Sequence, residues 1–365
     1  MSDAEIVIFL VFLISLFINL VLYYFPFTKV LKIKNGNSLK TNMQPVSVII
    51  AARNEAENLK INLPYILQQN YFLFEVIIAD DYSTDATCDV IKDLQKDYGN
   101  IKLVKNNQLQ GKKQALTTAI LSSKYERLIF TDADCRPSSN KWIELMSRMF
   151  TNNKEIVLGF GMYETHGIQS EFIQYDTQLI ALQYSASVIN GHPYMGVGRN
   201  IGYTKQVWEK NNGFNDHTDI LSGDDDLFVA KAATNSNTDI CVNPDSITIS
   251  ESPESLGKYI KMKARHINTS SKYSFSNLLY SGGELLSRAI VYISFIFLLE
   301  TSILIPLFLT LIIRLIYIST IIGLFSVKIN HKISVPCIII FDIFAPVFYG
   351  ILIFYKLLIH NKKQW

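Results

Sequence analysis

The chain has 365 residues, 34 Lys or Arg against 32 Asp or Glu, and a formal net charge of +2. That balance carries no basic excess, so bulk electrostatic capture of nucleic acid is excluded and no nucleic-acid partner is expected. The four cysteines, Cys88, Cys135, Cys241 and Cys337, are too widely spaced for a zinc site or a disulfide framework. Apolar residues make up 49% of the chain and crowd towards its two ends, which suits one catalytic domain plus membrane segments.

From Ile6 to Phe27 the chain is apolar except at Ser15 and Asn19. About 20 such residues cross a bilayer, so residues 1–28 read as an N-terminal anchor. The start, Met-Ser-Asp-Ala-Glu, lacks the basic region of a signal peptide, and an uncleaved anchor is expected. Lys29, Lys32, Lys34 and Lys40 follow, and basic flanks stay in the cytoplasm. The part that follows is therefore expected on the cytoplasmic side.

Residues 45–275 alternate short β-branched runs with helical stretches. VSVIIAA (46–52) and FEVIIAD (74–80) have the character of buried parallel strands. IKLVKN (101–106) and ERLIFTDAD (126–134) read as two more. Helices are expected from Glu55 towards Gln69, after Ser83-Thr84-Asp85 acting as a cap, and over Lys112–Ser122. Such alternation predicts an α/β fold with a mostly parallel sheet, whose ligands lie at the carboxyl ends of the strands. Three of those ends are polar: Arg53-Asn54-Glu55, Asp80-Asp81 and Asp132-Ala133-Asp134.

Asp132 and Asp134 are two apart after a buried run, and an extended segment would project both to one side. Paired hard oxygens suit Mg²⁺ or Mn²⁺, although a D-x-D alone is common in solvated turns. Asp81 is a carboxylate able to accept from a nucleobase imide, or simply a helix cap. Gly111, Lys112 and Lys113 place cations at a helix start, where phosphate can bind. Asp224, Asp225 and Asp226 are three adjacent carboxylates in SGDDDLF. Crowding raises a carboxyl pKa, which favours a general base, while acids also suit a helix N-terminus. Upstream, GVGRN supplies Arg199 and Asn200 as donors to an acceptor hydroxyl or a phosphate; downstream, Lys261, Lys263, Arg265 and His266 form a basic cluster before the membrane. His192 and His217 carry no assignment.

The closing region, 285–359, is apolar from Leu285 to Phe325 and from Ile333 to Ile359, broken by Glu300, Pro306 and Arg314. It is expected to hold two or three spans. Lys362 and Lys363 favour an even count, Lys328 and Lys332 an odd one.

VSVIIAARNEAENL, FEVIIADDYSTD, QGKKQAL, IFTDADCRP, SGDDDLF and KARH, in this order, resemble family-2 inverting glycosyltransferases of the glycosyltransferase-A fold, membrane-bound bacterial type. The resemblance covers about Pro45 to Tyr273. It implies that Ala51, Asn54 and Glu55 border the nucleotide of a sugar donor, with Asp81 holding the base. Lys112 or Lys113, with Asp132, would lie at the diphosphate, Asp132 and Asp134 would bind the metal, and Asp224 would be the catalytic base, or Asp225 after a one-residue slip. Arg199, Asn200, Arg265 and His266 would face the acceptor or the diphosphate. The implied protein is a multi-pass bacterial inner-membrane enzyme with a cytoplasmic catalytic domain. It would use a nucleotide-sugar, by analogy a UDP-sugar, and a lipid-linked or glycan acceptor. Two departures stand out. Gly223-Asp224 replaces the family's Glu-Asp, and Met262 and His266 replace Gln and Trp of its Gln-x-x-Arg-Trp motif, which argues for single-sugar transfer over processive synthesis. A nucleotidyltransferase, a non-catalytic nucleotide-sugar-binding membrane protein and a transporter are the competing readings.

Overall fold

The computed structural model describes residues 2–33, 43–106, 109–151, 153–217, 220, 222–269 and 272–358. Lys34, Lys40, Lys362 and Lys363 lie outside the described residues. Helix α1 (Asp3–Phe17) runs through a π-helical stretch, Ile18–Tyr24, into α2 (Phe25–Leu31). Ser2 caps it: its hydroxyl accepts from the Glu5 amide, and the Ser2 amide donates to Glu5 Oε2 at 2.7 Å. The π-helical stretch precedes Pro26, which has no N–H to give to the turn before it.

The central sheet is built from β1 (Val46–Ala52), β2 (Phe74–Asp80), β3 (Ile101–Lys105) and β4 (Arg127–Phe130), with α3 (Ala56–Leu67), α4 (Thr87–Asp97) and α5 (Lys112–Ser122) as crossovers. β5 (Cys135–Pro137), α6 (Trp142–Met149), β6 (Ile156–Leu158), β7 (Gly161–Tyr163), α7 (Ile168–Ile189), β8 (Ile201–Thr204), α8 (Lys205–Lys210), α9 (Asp226–Ala232), β9 (Thr238–Ile240) and β10 (Thr248–Ser250) follow. The seven-stranded sheet has the order β3-β2-β1-β4-β8-β6-β9, and only β8 runs against its neighbours. A small sheet, β5-β10-β7, stands beside it. The fold is α/β with a mostly parallel central sheet, as the alternation predicts.

Strand period sorts the β1 side chains. Val46, Val48, Ile50 and Ala52 pack with α3 and α6 on one face. Ile49 joins Ile77, Leu128 and Phe130 on the other, under α5 and α7. Register aligns the strand ends: Ala52 lies opposite Asp80, the Asp81 amide donates to Ala52 O at 2.8 Å, and the Thr131 amide donates to Ile49 O at 3.3 Å. The polar tips of β1, β2 and β4 therefore share one edge.

The chain then forms α10 (Leu256–Thr269), α11 (Phe275–Phe297), α12 (Leu304–Lys328) and α13 (Val335–Leu358). Among the described residues, three helices are long and apolar enough to cross a bilayer: Asp3–Leu31, Leu304–Lys328 and Val335–Lys356. They share a core with the sheet. Tyr24, Phe27, Val30, Phe325 and Phe348 belong to the same buried cluster as Ile49 and Phe130. Helix α7 is the go-between; its Phe172 ring meets those of Phe341, Phe344 and Phe348 at 4.9–5.4 Å.

Buried charges pair among these helices. Arg314 Nη1 lies 2.6 Å from Asp342 Oδ2, and Arg288 bridges Asp342 Oδ1 at 3.1 Å and Glu284 Oε2 at 3.2 Å. Asn19 accepts from Arg314 Nε at 2.9 Å, and the Tyr24 hydroxyl accepts from Arg314 Nη2 at 2.8 Å. Two arginines face two acids, so the group is neutral.

One expectation is corrected. Asp85 does not cap α4, which begins at Thr87 behind Ala86; its carboxylate takes the Thr87 amide at 3.0 Å and the Ala56 amide at 3.2 Å, tying two loops together. The stretch Leu285–Phe325, too long for one helix, divides at a turn over Leu298–Ile303 that separates α11 from α12.

Candidate active site

Asp132 and Asp134 lie just beyond β4. They turn rather than run extended, yet Asp132, Asp134 and Cys135 bring ligand atoms within 4.8 Å of one another. The two carboxylates suit a hard cation. Burial pushes the Cys135 thiol well up, so it stays protonated, and its Sγ donates to Asp134 Oδ1 at 3.3 Å. The donor set fits Mg²⁺ or Mn²⁺ on two aspartates, with the thiol as support. Surrounding protein, then the Asp132 charge, pushes the Asp134 carboxyl up. Burial would raise Asp132 too, but the Lys112 ammonium holds it below the usual carboxylate range.

Lys112 is the junction of the site. Its Nζ lies 2.9 Å from Asp132 Oδ1 and 3.2 Å from Asp224 Oδ2. Burial works against its charge, but the carboxylates of Asp132, Asp224 and Asp225 raise its pKa well above the ordinary lysine value. The neighbouring Lys113 donates to Ile220 O at 3.0 Å, and of the two expected lysines Lys112 is the one seen paired with Asp132 and Asp224.

The three adjacent aspartates have separate tasks. Asp224 is buried beside Lys112; burial pushes its carboxyl up, Lys112 opposes this, and Asp225 and Asp132 add to it. Asp225 accepts from the Gly198 amide at 2.7 Å and the Asp226 amide at 2.8 Å, so it clamps the upstream loop and starts α9. A Cβ at Gly198 would sit 3.2 Å from Asp225 Oδ2, so glycine permits the approach. Asp226 takes the Leu227 amide at 2.8 Å, the Tyr273 hydroxyl at 2.9 Å and the Thr269 hydroxyl, which ties the motif to the end of α10. Burial, then Asp225, pushes its carboxyl up to about 7.

At the other end of the edge, Asp81 is fully buried. Its Oδ1 accepts from Asn106 Nδ2 at 2.7 Å and from the Gly111 amide at 3.0 Å, while Oδ2 has no partner among the described residues. Gly111 holds φ at +152°, a conformation favouring glycine, and so presents its amide there. Asn54 has φ +56° and accepts from the Thr84 amide at 2.8 Å. The Glu55 amide donates to Thr87 Oγ1 at 2.8 Å, and burial, with Asp134 and Asp132 nearby, raises its carboxyl. Ala51, half-buried, lies on β1 opposite Ala79.

Arg199 stacks on Tyr163, its guanidinium carbon 4.2 Å from the ring centroid, donates to Ser250 Oγ at 3.1 Å, and lies within electrostatic reach of both metal-type aspartates. Asn200, in contrast, is no acceptor contact. It is fully buried, accepts from Trp142 Nε1 at 3.0 Å and donates to Phe160 O and Ser246 O at 2.9 and 2.7 Å, which locks β8 to its surroundings. On α10, His266 lies within electrostatic reach of Asp132, Arg199 and Lys112, and Arg265 is exposed to solvent. Tyr163, Thr269 and Tyr273 are partners that spacing did not reveal, because they reach the site from distant parts of the chain, while Cys135 adjoins Asp134 in sequence.

Residues 47–209 match the model of Glycosyl transferase family 2. The chain carries a family 2 glycosyltransferase domain. This domain is 35% identical over 101 residues to glycosyltransferase AglE of Haloferax volcanii, covering 27% of this chain and 33% of that protein. It is 30% identical over 131 residues to the UDP-Glc:alpha-D-GlcNAc-diphosphoundecaprenol beta-1,3-glucosyltransferase WfaP of Escherichia coli, covering 36% and 49%. A poly-beta-1,6-N-acetyl-D-glucosamine synthase of Staphylococcus epidermidis is 31% identical over 118 residues, covering 31% and 28%. The matched part thus spans less than half the length of these relatives. In three dimensions the chain shares its fold with the mannosyltransferase PcManGT of Pyrobaculum calidifontis, solved with GDP-Man and Mn²⁺. The TM-score is 0.59 at 16% identity, over 94% of this chain and 97% of that one.

Proposed function

We propose that the protein is a membrane-bound, divalent-metal-dependent glycosyltransferase that moves a sugar, with inversion, from a nucleoside diphosphate sugar to a lipid-linked or cell-envelope glycan acceptor. The observation that carries this reading is Lys112 joining Asp132 to Asp224: one cation is shared between a metal-type aspartate and a buried, raised carboxyl. A donor lying along the strand ends would meet Asp81 with its base, and Ala51, Asn54 and Glu55 along the nucleotide. The unpartnered Asp81 Oδ2 supports that placement, since a buried acceptor left unmade costs about 1–3 kcal/mol and a nucleobase N–H would satisfy it.

Asp132 and Asp134 would hold the cation, which would neutralise charge on the departing diphosphate. Lys112 and Arg199 add fixed positive charge beside it. Asp224 would take the proton of the acceptor hydroxyl as that oxygen attacks the anomeric carbon. Its raised pKa brings it nearer the working pH, where a general base is most effective. Asp225, with both oxygens bonded to backbone amides, is the poorer candidate. His266 and Arg265 would flank the acceptor side.

Lys29 lies in the last turn of the first candidate span and Lys32 follows it, and basic flanks favour the cytoplasm. The reading therefore places the catalytic domain there, with two C-terminal spans returning the chain to the same side of the membrane. The name of the Escherichia coli relative supports a diphosphate-lipid acceptor. The Staphylococcus relative supports the alternative of a processive polysaccharide synthase, which product length would distinguish.

The test is to incubate membranes carrying the protein with a panel of nucleotide-sugars and Mn²⁺, and to follow nucleoside diphosphate release. Release should occur with one donor, vanish in Asp134→Ala, and vanish in Asp224→Ala with donor binding kept. Binding without turnover across acceptor panels would instead indicate a non-catalytic binding protein.

A further inference from the structure

Lys112 stands where a divalent cation at Asp132 would feel it most. Its ammonium is 2.9 Å from Asp132 Oδ1 and 3.2 Å from a second anchor, Asp224 Oδ2. An ammonium and a divalent ion on one carboxylate repel strongly in a partly desolvated cleft. Asp132 cannot serve both cations at full strength. The lysine has an alternative, because Asp224 already holds it and a diphosphate entering beside Asp132 would offer more oxygen. Among the described residues no cation is bonded to Asp134, whose bonded neighbour is the Cys135 thiol and whose largest cationic influence is the Arg199 guanidinium.

We propose that Lys112 is a built-in counter-ion that competes with the divalent cation for Asp132 and yields to it when a nucleoside diphosphate supplies the lysine with a replacement partner. The inference rests on the glycosyltransferase reading and adds an order to it. Metal alone binds weakly, metal and diphosphate bind together, and the aspartate pair is not left as a bare cation sink. The same bridge ties the metal aspartates to Asp224 while no diphosphate occupies the cleft, so one side chain sets the spacing between donor and acceptor chemistry.

Calorimetry on the full-length protein in nanodiscs tests this, with MnCl₂ as the only ligand and then with UDP or GDP at saturating Mn²⁺. Lys112→Met, which keeps the length and removes the charge, should bind Mn²⁺ alone about tenfold more tightly than the wild type. It should bind the nucleoside diphosphate more weakly. Lys112→Arg should keep the wild-type Mn²⁺ affinity, and its unfolding temperature reports that the fold is intact. Equal or weaker Mn²⁺ binding by Lys112→Met, in a wild type that does take up the ion, overturns the competition and leaves the glycosyltransferase reading standing. A wild type that takes up no Mn²⁺, with or without UDP or GDP, overturns both.

Discussion

Two regions of this molecule gather aspartates and cationic side chains, and they use them in opposite ways. Between α11 and the two C-terminal candidate spans, Asp342 is bonded by Arg288, Arg314 and Tyr292, Glu284 neutralises Arg288, and the charges sum to zero. In the cleft, among the described residues, Asp132, Asp134 and Asp224 outnumber Lys112 and Arg199 within reach of them, Asp134 stays exposed, and Asp81 Oδ2 has no partner. Saturated charge holds helices together; unsaturated charge awaits a ligand. The difference lies in what remains unbonded, since the residue types are nearly the same.

The contrast breaks most visibly at Asp342. Asp342→Leu leaves two arginines short of a counter-ion among apolar helices and should cost about 3–5 kcal/mol, read as a fall in thermal stability in detergent. Replacing Arg314 and Asp342 together by leucine should cost much less. Asp224→Asn should do the reverse, lowering sugar transfer by about 10²–10⁴-fold while the unfolding temperature holds or rises, because a crowded buried charge is removed. Equal damage to stability from both substitutions would erase the distinction.

Smaller effects sharpen it. Asp225→Ala strands the Gly198 amide and should cost about 1–3 kcal/mol, with a raised acceptor KM as the loop loosens. Asp226 is the mildest case. Its folded pKa of about 7 lies above the usual carboxylate value, so the folded state holds the proton more tightly. The stabilisation from this group is complete below about pH 4 and is lost as pH rises through about 7. Unfolding temperature should drop across that window by about 1–3 °C per pH unit, and Asp226→Asn should flatten the curve.

Much of this was legible in sequence because local chemistry decided it. β1, β2 and α5 fall where the β-branched runs and the Gly-Lys-Lys start put them. Polar strand ends foretold the edge, and parallel register made it one site. The readings that failed depend on distant partners. Asn200 looks like a free donor beside glycines, yet Trp142 and two carbonyls from other elements consume it. Lys112 and Lys113 are equivalent as text, and only helix phase separates them. The small sheet β5-β10-β7 uses three residues per strand, too few for alternation to register. Helix α7 is buried on nearly every side and so shows no amphipathic stripe. Arg314 reads as an interruption of an apolar run until Asp342, on the next helix, supplies its charge.

The central claim is that Asp132 and Asp134 hold a divalent cation with a nucleoside diphosphate beside it. Electron paramagnetic resonance of Mn²⁺ titrated into the purified protein with UDP or GDP tests this directly. The account predicts one bound Mn²⁺ per chain in the wild type and in Asp224→Asn, and none in Asp132→Asn or Asp134→Asn. Undiminished binding in Asp134→Asn, or no bound ion in the wild type, would contradict it.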